Sequence, residues 1–381
     1  MALPPPAFGP TFKNGAACAN RVGACCPFGT TPGQDVIMLL SQKVGGAIWR
    51  AKDLVAPKAF ILLYHRITDA AIDPHQLCVS PQHFAEQLAI LAQQYTPLSL
   101  TQCVDAIHEG RLPQRVAVIT FDDGYADNLQ AAKPLLERHG FPATLFVTTG
   151  QIGDAREFWW DELEKVFLLP GTLPPHLDLA ISGHTYHWDL GDATEYTTEQ
   201  FRANRLWRAG VGAPPTSRHK MYQAVHQLLR GQPSAQRTAH MDALLKWSGA
   251  SRDARPSYRA LTPAELTVLN ATTLFDFGAH TVTHPFLPDQ ELAAQRQEIH
   301  GSKNALEQMV GRAVQSFSYP YGFYSDPTIQ LVRESGYRNA STCIEQATRC
   351  ESDLFQLPRF MVRDWDGDEF ARQMRAWVGN G

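Results

Sequence analysis

The sequence predicts an α/β protein built on a parallel β-sheet, because short apolar runs alternate with helical segments along much of the chain. The runs KAFILLYH (58–65), RVAVITF (115–121) and PATLFVTT (142–149) have the length and continuous apolar character of buried strands. The segment SPQHFAEQLAILAQQY (80–95) lies between the first two and has apolar residues at helical spacing behind Ser80, a typical N-cap residue. Strands that alternate with helices in this way favour parallel pairing.

The same alternation returns in the C-terminal part of the chain. LFDFGAH (274–280), QSFSYPYG (315–322) and YRNASTC (337–343) are predicted strands, and helical segments at 291–310 and 326–336 separate them. The two halves of the chain therefore contribute strands to the same kind of sheet.

Residues 156–261 interrupt this alternation with an aromatic stretch, FWWDELEKVF, a hairpin pattern, LDLAISGHTYHWDL, and several helical segments. We expect residues 57–155 and 262–381 to form one α/β domain, and 156–261 to form a mostly helical insertion that covers its site. Residues 1–56 are rich in Pro, Gly and Ala and are expected to form a partly ordered N-terminal arm.

The composition is typical of a soluble globular protein, with 381 residues, 44% hydrophobic and 19% charged, and a net charge of −4. This charge gives no basic surface for nucleic acid, and no apolar run reaches the ~20 residues of a membrane-spanning helix. The seven cysteines are an odd number, so free thiols are expected, although Cys343 and Cys350 could form a bridge. The N-terminus lacks a signal-peptide pattern, which favours a cytoplasmic location.

Polar residues with metal-binding chemistry follow two of the buried strands. Asp122 and Asp123 end the second strand in TFDDGYADN, and His280 ends a later one, with His284 four residues beyond. The carboxyl ends of parallel strands meet at one edge of the sheet. Adjacent buried carboxylates are costly without a partner, and a metal ion held by Asp123, His280 and His284 would remove this cost. Asp122 could then act on a water molecule.

Each pattern taken alone has a plainer interpretation. An Asp-Asp-Gly sequence after a strand is often a turn that caps a helix, and two histidines four residues apart are weak evidence for a metal. Their conjunction at the ends of apolar runs is what favours a metal site.

The segments TFDDGYADN, GAHTVTHP and FSYPYG, in this order, resemble the motifs of the polysaccharide deacetylases. These are metal-dependent carbohydrate esterases that remove N-acetyl or O-acetyl groups from sugars. The resemblance covers about 58–155 and 262–365, and it implies a distorted (β/α)7-type barrel.

The resemblance also implies a role for each motif residue. Asp122 would be the general base, and Asp123, His280 and His284 would be the metal ligands. Tyr321 would donate its backbone N–H to the developing oxyanion, in a loop shaped by two flanking residues. Those two residues are Pro320 and Gly322.

The chain departs from the family pattern in two places. Many members have an arginine where Ser318 stands; Arg359 is a candidate replacement, or else it makes an ordinary salt bridge. Many members also carry a C-terminal histidine as general acid, but no histidine follows Gly322. A permuted subgroup of the family has the acid histidine on its first strand. His65 lies on the first predicted strand here and is the candidate acid, unless its ring only forms a hydrogen bond with the backbone.

We therefore expect a metal-dependent hydrolase that removes an N-acetyl group from an amino sugar, whether in a polysaccharide, an oligosaccharide, or a lipid- or nucleotide-linked sugar. The expected cofactor is a divalent metal, zinc first, with cobalt, nickel or manganese as alternatives, and the expected partner is the carbohydrate. The same machinery could serve an O-acetyl esterase or a non-sugar amidohydrolase. An inactive carbohydrate-binding relative is disfavoured, because the base and all three ligands are present.

Further residues are candidates for contact with the substrate. Trp159 and Trp160 could stack on a sugar or pack within the insertion, and Tyr125 follows the aspartate pair after one glycine. Pro320 and Gly322 belong to the same group. His184 and His187 in the predicted hairpin are expected to be surface residues.

Overall fold

The computed structural model describes residues 57–380 of the chain. The predicted N-terminal arm, residues 1–56, lies outside the described residues. The strands are β1 (Ala59–Tyr64), β2 (Arg66–Ile67), β3 (Cys78–Val79), β4 (Thr96–Pro97), β5 (Val116–Phe121), β6 (Ala143–Val147), β7 (Gly171–Thr172), β8 (His176–Ile181), β9 (His184–Asp189), β10 (Glu195–Tyr196), β11 (Phe275–Ala279), β12 (Ser316–Ser318), β13 (Asn339–Ser341) and β14 (Phe360–Met361).

The helices have clear sequence determinants, and the capping box at Thr262 and Glu265 is one of them. Pro134 lies in the first turn of its helix, where a missing N–H is tolerated, and a π-helical turn precedes it. The α-helices are α1 (Pro81–Gln94), α2 (Leu100–His108), α3 (Lys133–His139), α4 (Trp159–Phe167), α5 (Thr198–Asn204), α6 (Ser217–Arg230), α7 (Ser234–Ser248), α8 (Pro263–Asn270), α9 (Leu292–Val310), α10 (Asp326–Glu334) and α11 (Gly367–Asn380).

Seven strands form one parallel sheet in the order β13-β12-β11-β6-β5-β1-β14, and β4 pairs with β5 outside this path. The strands β1 (AFILLY) and β5 (VAVITF) are buried at every position, as expected for parallel strands covered on both faces. The predicted α/β fold with a distorted (β/α)7-type barrel is confirmed.

The sheet curls so that one segment, residues 354–361, contacts β13 on one side and β1 on the other. On one side, Leu357 N donates to Ala340 O (2.9 Å), and Thr342 N donates to Leu357 O (2.8 Å). On the other side, β14 pairs in parallel with β1, with Leu62 opposite Phe360. We call residues 354–361 the closing segment, because it joins the edge at β13 to the edge at β1.

Two apolar clusters hold the barrel together. Phe60, Leu62 and Tyr64 belong to the larger cluster, which packs the sheet against the surrounding helices. Ile61, on the opposite face of β1, belongs to a smaller cluster that includes residues of α2. The alternation of side chains along one strand thus supplies both faces of the sheet with core residues.

Residues 156–261 contain helices α4 to α7 and the antiparallel hairpin β8–β9. They supply most of a third apolar cluster, which also includes Ile72 and Tyr125. Their two ends meet beside the barrel, because Glu157 and Arg259 form an antiparallel bridge. The hairpin was predicted, and its histidines, His184 and His187, are exposed.

No helix between residues 57 and 380 is both long and apolar enough to cross a membrane; the cytoplasmic location stays a prediction. The described cysteines Cys78, Cys103, Cys343 and Cys350 are free thiols. The bridge considered between Cys343 and Cys350 is therefore not formed.

Candidate active site

The register of the sheet brings the candidate residues to one edge. Tyr64 on β1 lies opposite Phe121 on β5, so His65 and Asp122 leave the sheet at the same level. Asp122 N donates to Tyr64 O at 3.0 Å. Further along the sheet, β11 ends level with β6, and His280 follows directly. These side chains meet because the strands are parallel and end together.

Asp123, His280 and His284 are buried and form a group that could hold a metal ion, with ligand atoms within 4.8 Å of one another. Asp123 Oδ1 lies 3.6 Å from His280 Nε2 and 3.5 Å from His284 Nε2. Ligands at 2.0–2.2 Å around a tetrahedral ion are separated by about 3.4 Å. Asp123 Oδ1 is also buried, and no described residue forms a hydrogen bond with it, so the residues fit a cation between them.

The neighbouring groups prepare this site for a metal in two ways. His280 Nδ1 lies 2.8 Å from Ser318 O; a carbonyl oxygen only accepts, so Nδ1 carries the proton and Nε2 presents its lone pair to Asp123. Burial, with the charge of Asp122, raises the pKa of Asp123 well above its ordinary value. A bound cation would compensate the negative charge that the site otherwise disfavours.

Asp122 has a different environment from its neighbour. Arg359 donates from both terminal nitrogens to Asp122 Oδ1 (2.8 Å) and Oδ2 (2.7 Å), and the Ser318 hydroxyl donates to Oδ2 (3.1 Å). Burial alone would raise the pKa of Asp122, but the charge and hydrogen bonds of Arg359 outweigh it and hold the pKa well below its ordinary value. The residue offered as a replacement for the missing family arginine thus contacts the candidate base, and Asp122 is ionised.

Backbone strain is concentrated at this edge of the barrel. Four non-glycine residues here have positive φ: Asp123 (73°), Thr281 (65°), His284 (54°) and Tyr321 (59°). Such conformations cost on the order of 1–3 kcal/mol each and persist where the surrounding structure imposes them. Two of the four supply candidate ligand atoms.

The loop between the two histidines is held by Glu298 on α9. Its carboxylate accepts from the backbone N–H groups of Val282 and Thr283 (2.8 Å each) and from the Thr283 hydroxyl (2.6 Å). Sequence reasoning missed Glu298, because nothing in the helical segment 291–310 distinguishes it from other surface acids.

The candidate base and ligands line a cavity of about 370 Å³, together with His65, Trp160 and Tyr321. Sequence reasoning missed several other lining residues. These are His75, His226, Arg230, Phe323, Met361 and Arg363. The spacing of His226 and Arg230 on one helical face was an available signal for part of this set.

His65 lines the cavity, and its backbone carbonyl accepts from Asn128 Nδ2 at 2.9 Å. Burial lowers the pKa of His65 to about 3, although the charge of Asp122 opposes this shift. The ring is therefore neutral, and it must gain a proton before it can donate one as an acid. The neighbouring Arg66 points elsewhere, since its Nε lies 3.1 Å from Asp127 Oδ2.

Tyr321 stands at the middle of a tight turn, Pro320–Gly322, with its ring centroid 4.6 Å from that of His284. Gly322 has a φ of +75°, and a Cβ there would lie 2.6 Å from Cys343 Cβ. Pro320 is buried, and neither it nor Gly322 lines the cavity. Both residues shape the turn, as expected, and their contact with a substrate stays a prediction.

Two of the aromatic residues proposed as substrate contacts lie behind the cavity wall. Tyr125 is fully buried; its hydroxyl donates to Asp161 Oδ2 (2.6 Å) and accepts from Trp160 Nε1 (2.8 Å). Trp159 packs against His226 (4.8 Å between ring centroids) and does not line this cavity. Hydrogen bonding holds Tyr125 and packing holds Trp159, and contact of either ring with a substrate stays a prediction. Of the three aromatic residues, Trp160 lines the cavity, 4.8 Å from His284.

Comparison with known proteins places these observations in a family. The chain is 32% identical over 114 residues to poly-beta-1,6-N-acetyl-D-glucosamine N-deacetylase of Escherichia coli K12, covering 29% of this chain and 16% of that protein. It is 25% identical over 128 residues to the enzyme of the same name from Staphylococcus epidermidis, covering 31% and 43%. The matches thus span less than half the length of these curated relatives.

The structure of IcaB from Ammonifex degensii has the same fold, with a TM-score of 0.52 at 17% identity over 85% of this chain and 98% of that one. A family model described as polysaccharide deacetylase matches residues 109–208 and 242–340, about half of the chain. These two ranges contain the aspartate pair and both histidines of the site. The chain therefore belongs to the polysaccharide deacetylase family.

Proposed function

We propose that the protein is a metal-dependent hydrolase that removes the N-acetyl group of an amino sugar and releases acetate. One observation carries this proposal: a carboxylate paired with an arginine, Asp122, lies beside a buried carboxylate and two imidazoles in a single cavity. The relatives named as poly-N-acetylglucosamine N-deacetylases support the choice of a sugar amide.

Asp123, His280 and His284 would hold the metal. Two imidazoles and one carboxylate favour zinc, and cobalt, nickel and manganese are alternatives. When bound, such an ion supplies Lewis acidity at the acyl group. The remaining steps belong to the side chains around it.

Asp122 is the proposed general base. It accepts a proton from the water molecule that attacks the acetyl carbonyl carbon, while Arg359 holds the carboxylate ionised and fixed in orientation. The Tyr321 backbone N–H is the proposed donor to the oxyanion of the tetrahedral intermediate. The strained turn that holds Tyr321 would fix this donor in place before the reaction.

The amine must be protonated as the C–N bond breaks, because an amide anion is a very poor leaving group. His65 is the proposed acid, since it lines the same cavity and the charge of Asp122 acts to raise its pKa. Because the ring is neutral at rest, the proton must reach it during the reaction. Asp122 supplies it: the proton that Asp122 takes from the attacking water passes to His65, which donates it to the leaving nitrogen, so Asp122 is ionised again for the next cycle.

The test is release of acetate from N-acetylglucosamine oligomers by protein purified without chelator, with the metal content measured in parallel. We expect about one metal ion per chain and loss of both metal and turnover in the His280→Ala/His284→Ala double variant. Asp122→Asn should keep the metal and lose about 10²-fold or more in turnover, whereas Asp192→Asn, an exposed control, should change neither. Full metal retention by the double variant would refute the site.

A further inference from the structure

Two arginines that the proposed reaction does not use line the cavity that holds the candidate metal ligands. Arg230 is the last residue of α6 in the insertion, and Arg363 follows β14 in the barrel. His226, one helical turn before Arg230, lines the same cavity, so α6 presents one face to it.

Arg230 has no counterion within the described part of the chain. It has no carboxylate within 4.0 Å and no hydrogen bond among residues 57–380, and its guanidinium carbon lies 4.6 Å above the Phe286 ring. Phe286 in turn contacts Phe323, whose ring lines the cavity, with 5.2 Å between centroids. An aromatic face positions the guanidinium without neutralising it.

Arg363 is held by neutral groups. Its Nη1 donates to the carbonyl oxygens of His75 (3.3 Å) and Gln76 (2.8 Å), and no carboxylate of the described chain lies within ion-pair distance of it. The carboxylates that act on its charge, Asp73 and Glu345, do so from beyond that distance. Carbonyl oxygens orient a guanidinium but leave its charge in place.

The acidic residues of the cavity cannot supply the missing counterions. Asp122 and Asp123 are the carboxylates that line it among the described residues. Asp122 is paired with Arg359 through two hydrogen bonds, and Asp123 faces two imidazoles. The wall away from the metal ligands therefore carries a positive charge that attracts an anion.

We infer that the substrate carries an anionic group, a carboxylate or a phosphate, which Arg230 and Arg363 bind while the acetamido group lies against Asp123 and the two histidines. A carboxylate and a phosphate present the same acceptor geometry to a guanidinium fork. The inference rests on the proposed function and adds a substrate class to it: an N-acetylated amino sugar joined to a uronic acid, or one that carries a glycosyl phosphate.

The experiment compares three substrates at low ionic strength: a neutral N-acetylglucosamine oligomer, an N-acetylglucosamine linked to a uronic acid, and N-acetylglucosamine 1-phosphate. We expect one of the charged substrates to exceed the neutral one in kcat/KM by about tenfold or more, the typical effect of a hydrogen bond to a charged group. Arg230→Gln and Arg363→Gln should each lower this ratio by about tenfold, mainly through KM. Lys220→Gln, an exposed control on the same helix, should leave it unchanged.

The charged substrate whose kcat/KM depends on the two arginines shows whether the bound group is a carboxylate or a phosphate. A wild-type protein that prefers the neutral oligomer, or a ratio unaffected by both arginine substitutions, would overturn the inference while the proposed function stands. Calorimetry of each sugar binding to the metal-loaded Asp122→Asn variant tests the anion site independently of turnover. If the charged sugar binds in an arginine-dependent manner but no substrate releases acetate, the proposed function fails and the anion site stands.

Discussion

Replacing Arg359 by methionine should destabilise the protein by leaving a charge without its partner. The Arg359 side chain is fully buried and donates to both oxygens of Asp122, to the hydroxyls of Ser318 and Thr120, and to Thr342 O. In Arg359→Met the Asp122 carboxylate keeps only the Ser318 hydroxyl. Loss of one partner of a buried pair costs about 3–5 kcal/mol in the free energy of unfolding.

The double variant separates this explanation from a simple loss of packing. In Asp122→Asn/Arg359→Met neither charge remains, so its destabilisation should fall short of the sum of the two single variants by about 2–3 kcal/mol, a coupling typical of directly paired groups. Unfolding in guanidinium chloride at saturating metal gives the free energy of unfolding of wild type, the two single variants and the double variant. The four values can be compared if the slope of that free energy against denaturant concentration is the same for all four proteins.

A surface ion pair serves as the control. Arg333 lies 3.2 Å from Asp353, and both side chains are more than two-fifths exposed, so Arg333→Met should change the stability by at most about 1 kcal/mol. If the Asp122 and Arg359 effects add within about 0.5 kcal/mol, the two residues do not act as a pair, and the account of the ionised base is wrong.

Three further predictions concern groups around the site and on the surface. Glu298→Gln should weaken metal binding by about 10- to 100-fold through loss of the loop anchor, with exposed Glu351→Gln as the control; equal affinities by chelator competition would contradict this role. His65→Ala should slow amide substrates far more than acetyl esters, because an alkoxide leaves more readily than an amide anion; equal losses would remove His65 from the mechanism. Hydrogen bonds from Arg259 lower the pKa of Glu265 from 4.5 to about 2, so its stabilising contribution is present above pH 4.5 and is lost as the pH falls towards 2. The stability difference between metal-free wild type and Glu265→Gln should therefore shrink over that interval in thermal unfolding, and a constant difference would exclude this linkage.

The strands and the motif residues were predictable because they depend on local pattern. RVAVITF is a continuous apolar run and becomes the fully buried β5, and the aspartate pair follows it directly in the sequence. Parallel pairing then brings Asp122 level with His65 without any further assumption. The same reasoning located His280, which follows β11.

The residues that the sequence did not reveal act across long separations. Glu298 contacts the loop before its own helix. Arg230 belongs to the insertion, and the periodicity of the sequence does not show how the insertion packs on the barrel. The positions of two aromatic residues also depend on distant contacts. Tyr125 and Trp159 have the residue type of sugar-binding side chains, yet hydrogen bonding to Asp161 and packing against His226 account for them.

The closing segment has a consequence for the order in which the protein becomes competent during synthesis. The candidate base and all three metal ligands precede Arg359, the counterion of the base, in the chain, and they are therefore translated before it. A nascent chain that ends before residue 354 contains all three metal ligands. It lacks the link between β13 and β1, and it lacks Arg359 as the counterion of Asp122. The same late segment thus completes the barrel wall and sets the charge state of its base, so a polypeptide that stops short could capture metal but would lack the paired base.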